Sequence, residues 1–212
     1  MNGWVKAFLW TVGILGVVGG VLRMWFVDVH RIPDDVNDVR NWANAPNLEP
    51  GDVALVWRGG DVHAGDVVRC VDPVDPTRWL VARVVGLGGE KIEVIDGVLA
   101  INNFRARLGR CENDPRPTMS PDGTEVDLPC QGEELGGSHH DTYSPGAATE
   151  MPPVLVERGK LFLLSDNRGD QYAHDSRTLG TFPVEACKQR LMVRMWSKKG
   201  WGDSARRMSF LF

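Results

Sequence analysis

The 212-residue chain is expected to be mainly β: one β-sheet domain carrying an inserted subdomain and preceded by one N-terminal transmembrane helix. Three observations lead there. Residues 1–27 are almost wholly apolar, and short Val- and Ile-rich runs bounded by Gly, Pro and Asp follow them. A polar, cysteine-bearing stretch then interrupts those runs midway. The 24 glycines and 13 prolines favour strands and turns over long helices. A net charge of −4 argues against nucleic acid as a partner, because phosphate-binding surfaces carry a basic excess.

The apolar N-terminus comes first. No charged residue lies between Ala7 and Leu22, and Trp4, Val5 and Met24 to Val27 extend the stretch around Lys6 and Arg23. A hydrocarbon core of about 30 Å needs about 20 helical residues, with the flanking cations reaching to the headgroups. A cleaved leader would need a small-x-small site close behind the apolar run. Ala43-Asn44-Ala45 is distant and precedes Pro46, so the segment reads as an uncleaved anchor over residues 1–27. Charge leaves its orientation open, since Lys6 opposes Arg23 and Arg31.

Residues 28–50 are acidic and loop-like. Strand signals follow at 52–57, 66–71, 79–86, 91–96 and 98–102, with Asp96-Gly97 marking a tight hairpin. Residues 103–153 read as the insertion, and strand patterns resume at 154–166 and 188–197. The β core therefore spans 28–102 and 154–197. The tail, 198–212, combines Lys198, Lys199, Arg206 and Arg207 with Trp201, Phe210 and Phe212. It reads as a frayed end, or alternatively as a membrane-interface contact. Cys111 and Cys130 suit a loop-closing disulfide worth about 3 kcal/mol. Cys70 and Cys187, in apolar strand-like runs, read as buried thiols. Without Cys-x-x-Cys or His-x-x-His spacing, neither a metal nor a cofactor is expected.

Three segments together resemble type I signal peptidases (S26 serine peptidases with a Ser/Lys dyad), membrane-bound enzymes of protein secretion. LEPGDVALV, 48–56, is similar to the stretch following that family's nucleophile, with Pro46, Leu48, Gly51 and Asp52 in matching places. ARVVGLGGEKIEVIDGVLAIN, 82–102, is similar to the segment that carries the lysine, with Arg83 and Gly86 matching. LLSDNRGDQYAHDSRTLGTFP, 163–183, resembles the Asp-Asn-Arg and Asp-Ser-Arg segment, matching at Asp166, Asn167, Arg168, Asp175, Ser176 and Arg177. The resemblance implies a polar scaffold with an Asp175–Arg177 ion pair. It also implies a bacterial-type cytoplasmic (inner) membrane location, single-pass, with the main domain extracytoplasmic.

The departures are at the reacting positions. Counting back from Gly51 places the serine position at Ala43, and counting forward from Ile32-Pro33 places it at Val36. The loop is therefore lengthened, and no serine precedes Ser120. The lysine position is Ala82, and neighbouring Arg83 stays protonated and cannot act as a base. Lys91 reads as a solvated strand-start residue. Ser165 stands where the family has glycine. Ser120, His63, His174 and the pair His139-His140 remain as candidates for relocated chemistry, with His139 and His140 expected at the surface. The expected function is thus non-catalytic: binding of an extended peptide at strand edges near 48–56 or 78–85, or service beside another membrane protein as an assembly subunit. The alternative is an active signal-peptide-cleaving serine endopeptidase with displaced catalytic residues.

Overall fold

The structure, a computed structural model, describes residues 3–111, 117–119, 124–127, 129–143, 150–169 and 173–211. Helix α1 (Gly3–Trp25) has 23 residues and is long and apolar enough to cross a membrane. At 1.5 Å per residue it extends about 35 Å. It packs little against the rest of the chain, and its side chains are exposed all round. Strands follow in order: β1 (Val27–Arg31), β2 (Val53–Trp57), β3 (Val67–Val71), β4 (Trp79–Leu87), β5 (Lys91–Ile95) and β6 (Val98–Ile101). Next come β7 (Phe104–Arg105), β8 (Arg107–Gly109), β9 (Pro117–Met119), β10 (Glu125–Asp127), β11 (Cys130–Leu135) and β12 (Ser138–Tyr143). The chain closes with β13 (Met151–Leu155), β14 (Lys160–Leu164), the short helix α2 (Ser176–Leu179), β15 (Phe182–Pro183), β16 (Gln189–Trp196) and β17 (Ser209–Phe210).

The main sheet runs β1-β2-β16-β3-β4-β14-β15, with β17 paired to β16. A second sheet runs β13-β5-β6-β7, so both ends of the 103–153 segment join the hairpin of β5 and β6. That hairpin turns at Asp96 and Gly97 as expected, both at positive φ, with Ile95 paired to Val98. The rest of the segment forms a β12-β11-β8 sheet and a β9-β10 pair.

Strand alternation distributes β4 among three apolar clusters. Leu80, Ala82 and Val84 pack with Val68, Leu161, Leu163, Phe182, Cys70 and Cys187. Val81 faces a second cluster with Ile32, Leu48, Val56, Leu191 and Leu211. Val85 belongs to a third, with Ile92, Leu99 and Phe162. Gly86 is required there: a Cβ on it would stand 2.6 Å from the Ile92 side chain.

Three sequence expectations are corrected. Residues 28–31 are not loop but belong to β1, which begins at Val27 and is fully registered against β2. Its acidic Asp28 is matched by Arg23 at 2.6 Å, Arg58 at 3.2 Å and Arg69, so charge pairing replaces the missing hydrophobic pattern. The tail is not frayed. Arg206 reaches Glu49 and Asp52, each at 2.7 Å, β17 adds to the sheet, and Leu211 enters the core. Cys70 and Cys187 are not thiols but a disulfide, as are Cys111 and Cys130. Both partners of the first bond occupy apolar strand contexts, which by themselves look the same for a thiol and a half-cystine.

The Cys70–Cys187 bond closes a sequence separation of 117 residues, for which loop entropy gives about 4–5 kcal/mol. Replacing both with alanine is expected to lower stability by that order, read as a fall in the thermal unfolding midpoint of the detergent-solubilised chain.

Candidate functional site

The site is built around Arg83, whose side chain leaves β4 on the face opposite Ala82. Its Nε and Nη2 meet Asp166 Oδ1 and Oδ2 at 2.7 and 2.8 Å. Nη1 donates to the carbonyls of Gly65 and Leu211 at 2.7 and 3.0 Å. Asp166 also accepts from Asn47 Nδ2 at 2.9 Å, and its backbone N–H donates to Asn44 Oδ1 at 3.1 Å. Asn167 N donates to Ala43 O at 3.0 Å. The 43–47 stretch is thereby stitched to the segment after β14.

The lengthened loop is folded. A 3₁₀ turn, Val39–Trp42, is capped by Asp38, and the side chains of Asn41 and Trp42 donate to the carbonyls of Asp35 and Val36. The Ala45–Pro46 bond is cis. Pro46 is buried and Leu48 plugs the second core. Gly51 takes a φ of +89°, and Asp52 accepts from Glu49 N at 3.0 Å and from Arg206.

The last motif closes on itself. Asp175 and Arg177 make the expected ion pair at 2.7 Å, and Asp175 caps α2. Asp175 also accepts from Ser165 N at 2.9 Å, while Ser176 Oγ accepts from Leu163 N at 2.8 Å. Arg177 donates to Arg168 O, and Arg168 reaches Glu133 of the insertion at 2.9 Å. Asp166, Asn167, Arg168, Asp175, Ser176 and Arg177 are thereby linked to one another, to Arg83 and to the 43–47 stretch.

Ala43 and Ala82, the positions that the counts from the motifs give for the dyad, are both buried. Asn44 Nδ2 donates to Val81 O at 2.6 Å, which sets Ala43 beside the Val81-Ala82 stretch of β4. Ala43 is 3% exposed and Ala82 0%. β14 pairs with β4 only from Arg83 onward, so the edge of β4 before it lies against the loop. Between them is a void of about 20 Å³, lined by Arg40, Asn41, Ala43, Asp72, Trp79 and His174. That volume admits a single water, not a peptide side chain. Of the two expected peptide edges, β2 lies between β1 and β16, and on β4 the Val81 carbonyl accepts from Asn44 of the loop.

The relocated candidates scatter. His174 Nε2 pairs with Asp72 Oδ2 at 2.6 Å beside the small void. His63 is exposed at the surface near Asp66. Ser120 lies outside the described residues. His140, expected at the surface, is buried at 6% against Glu133 at 3.1 Å, and His139 is half-buried; strand pairing in β12, invisible locally, turns His140 inward. Lys91 starts β5 half-buried and pairs with Glu93 at 3.1 Å. Asn44, Asn47, Glu133 and His140 were not foreseen as framework residues. Nothing in their neighbours along the chain signals partners more than 30 residues away in three of the four cases.

Burial pushes the Asp166 carboxyl up, but Arg83, His140 and Asn47 overcome it and leave it at about 2. Burial likewise raises Glu133 and Asp175, and Arg168 and Arg177 respectively bring both below the usual carboxylate range. Burial and the nearby Arg83 hold His140 below its ordinary value. A depressed carboxylate stabilises the fold above its unfolded pKa, and that contribution is lost as pH falls through the folded value. Stability is therefore expected to drop between about pH 4 and pH 2, measured by urea denaturation across that range. Asp166→Asn is expected to cost about 3–5 kcal/mol at neutral pH, by leaving Arg83 unpaired, and to flatten the acid loss.

No curated protein matches the chain in sequence. Among solved structures, the crystal structure of a signal peptidase I from Enterococcus faecalis V583 aligns over 63% of this chain and 97% of its own. The identity is 18% and the TM-score 0.37. The family model described as signal peptidase, peptidase S26, matches residues 1–196, nearly the whole chain. By that match the chain belongs to the signal peptidase family, peptidase S26.

Proposed function

We propose that this chain is a non-catalytic member of its family and serves as a subunit of a membrane assembly in protein secretion. In this reading α1 anchors it in a bacterial-type cytoplasmic membrane, with the β domain on the extracytoplasmic side. The observation that carries the proposal is the pair Ala43 and Ala82. Covalent catalysis needs a nucleophile within hydrogen-bond reach of a base, and two methyl side chains supply neither. Among the described residues, no hydroxyl or thiol is bonded to His63, His139, His140 or His174.

The same loop favours assembly over peptide capture. Strand addition needs free main-chain donors and acceptors along an edge. Asn44 already satisfies the Val81 carbonyl, and residues 38–47 cover that stretch of β4.

In detergent or lipid, the unaltered chain is expected to leave a signal-peptide substrate intact and to show no saturable binding of small-x-small peptides. Cutting by the unaltered chain that survives Ala43→Ser and Ala82→Lys would establish displaced catalytic residues instead. Saturable peptide binding without cutting would favour a groove over an assembly role. Ala82→Lys itself is expected to destabilise by several kcal/mol (roughly 2–5), because the ammonium would enter the apolar cluster around Cys70 and Cys187.

A further inference from the structure

The insertion gathers four metal-ligating side chains that the proposed function does not use, and strand register places them. Gly132 of β11 pairs with Gly109 of β8, and extending that register sets Cys130 opposite Cys111. On the other side of β11, Asp141 stands opposite Gly132 and His139 opposite Glu134. Residues two apart along a strand share a face, so Cys111, Cys130, Asp141 and His139 lie on one side of this small sheet. His140 falls on the other side, where Glu133 holds it.

Two facing glycines let these donors approach. A Cβ on Gly132 would stand 2.6 Å from His139 Cε1, and one on Gly109 2.9 Å from the same atom. The imidazole therefore leans over the glycine row toward the cysteines. Its Nε2 is shielded from solvent without a hydrogen-bond partner and lies 4.0 Å from Asp141 Oδ1. The two sulfurs and an Asp141 oxygen all lie within 4.8 Å of one another. In a tetrahedral zinc site, metal–ligand bonds of about 2.0–2.3 Å put donors about 3.3–3.8 Å apart, so only a small closure is needed.

We propose that reduction of the Cys111–Cys130 disulfide converts this cluster into a site for Zn²⁺ or a similar borderline-soft divalent ion. Its ligands are the thiolates of Cys111 and Cys130, the Asp141 carboxylate and the His139 imidazole. A dithiol reductant supplies two electrons and two hydrogens: the S–S bond breaks, each Sγ takes a hydrogen, and the dithiol becomes a disulfide. Metal binding then releases the two thiol protons to solvent. Selectivity between the two disulfides follows from exposure, since Cys111 and Cys130 are half-buried whereas Cys70 and Cys187 are 0% exposed. The absence of Cys-x-x-Cys spacing does not bear on such a site, because the donors come from β11, β12 and the segment following β8 rather than one turn.

The test is titration of the full detergent-solubilised chain with Co²⁺, before and after reduction by a phosphine, whose product is a phosphine oxide with its oxygen from water. The expected result is one Co²⁺ per reduced chain, with tetrahedral visible bands and thiolate-to-cobalt charge transfer, displaced by Zn²⁺. His139→Ala and Asp141→Asn are expected to retain the charge-transfer band but to bind at least about tenfold more weakly. Cys111→Ser should weaken or abolish it. Three outcomes overturn the proposal: no charge-transfer band in the reduced wild type, equal affinity in the His139 and Asp141 variants, or equal binding by the oxidised chain. Because those two variants keep the disulfide in their oxidised form, their folding can be checked by circular dichroism before reduction.

Discussion

Arg83 and Asp166 meet side-on as a two-pronged ion pair at 2.7 and 2.8 Å, with side chains only 2% and 3% exposed. A buried pair of this kind offsets its desolvation only when the remaining donors and acceptors are also satisfied. That requirement reaches into distant parts of the chain. The spare Arg83 donors need Gly65 O and Leu211 O, which fixes the turn before β3 and draws the C-terminal tail inward. Asp166 needs Asn47, which fixes the lengthened loop.

The framework extends from there by the same logic. Arg168, next but one to Asp166, reaches Glu133, and Glu133 holds His140, so the insertion is tied to the core by charge rather than by apolar burial alone. Asp175 with Arg177, and Ser176 with Leu163 N, brace the segment from behind. The Arg83–Asp166 pair, with all of its printed donors and acceptors matched, keeps one geometry whether or not a reaction occurs beside it. This is why the motif residues that shape the loops can persist around two alanines. The alanines then contribute what small side chains contribute elsewhere: close packing, with Ala82 in an apolar cluster and Ala43 under the loop.

What could be read locally was read correctly. The apolar N-terminal helix, the Val-rich strands after residue 51, the Asp96-Gly97 hairpin, the Cys111–Cys130 bond and the Asp175–Arg177 pair each depend on neighbours close along the chain. The misreadings share the opposite property. β1 looked like an acidic loop because the arginines that neutralise Asp28 include Arg58 and Arg69, far along the chain. The tail looked frayed because its docking partners, Glu49 and Asp52, precede it by some 150 residues. Cys70 and Cys187 looked like thiols because 117 residues separate them.

The sequence by itself supplied the alphabet of the site: which residues resemble the scaffold, that counts from the motifs reach Ala43 or Val36 for the serine and Ala82 for the lysine, and that the two counts differ by a lengthened loop. Periodicity and turn chemistry act over a few residues, so they were sufficient for the core strands from β2 to β6 and for the apolar N-terminal helix. Only the tertiary structure decided that the longer loop folds against the edge of β4 and that His140 turns inward. It alone decided, too, that Cys111, Cys130, Asp141 and His139 share one face. Those outcomes depend on strand register and on desolvated charge pairing between segments that are distant in the chain, and neither leaves a local pattern to read.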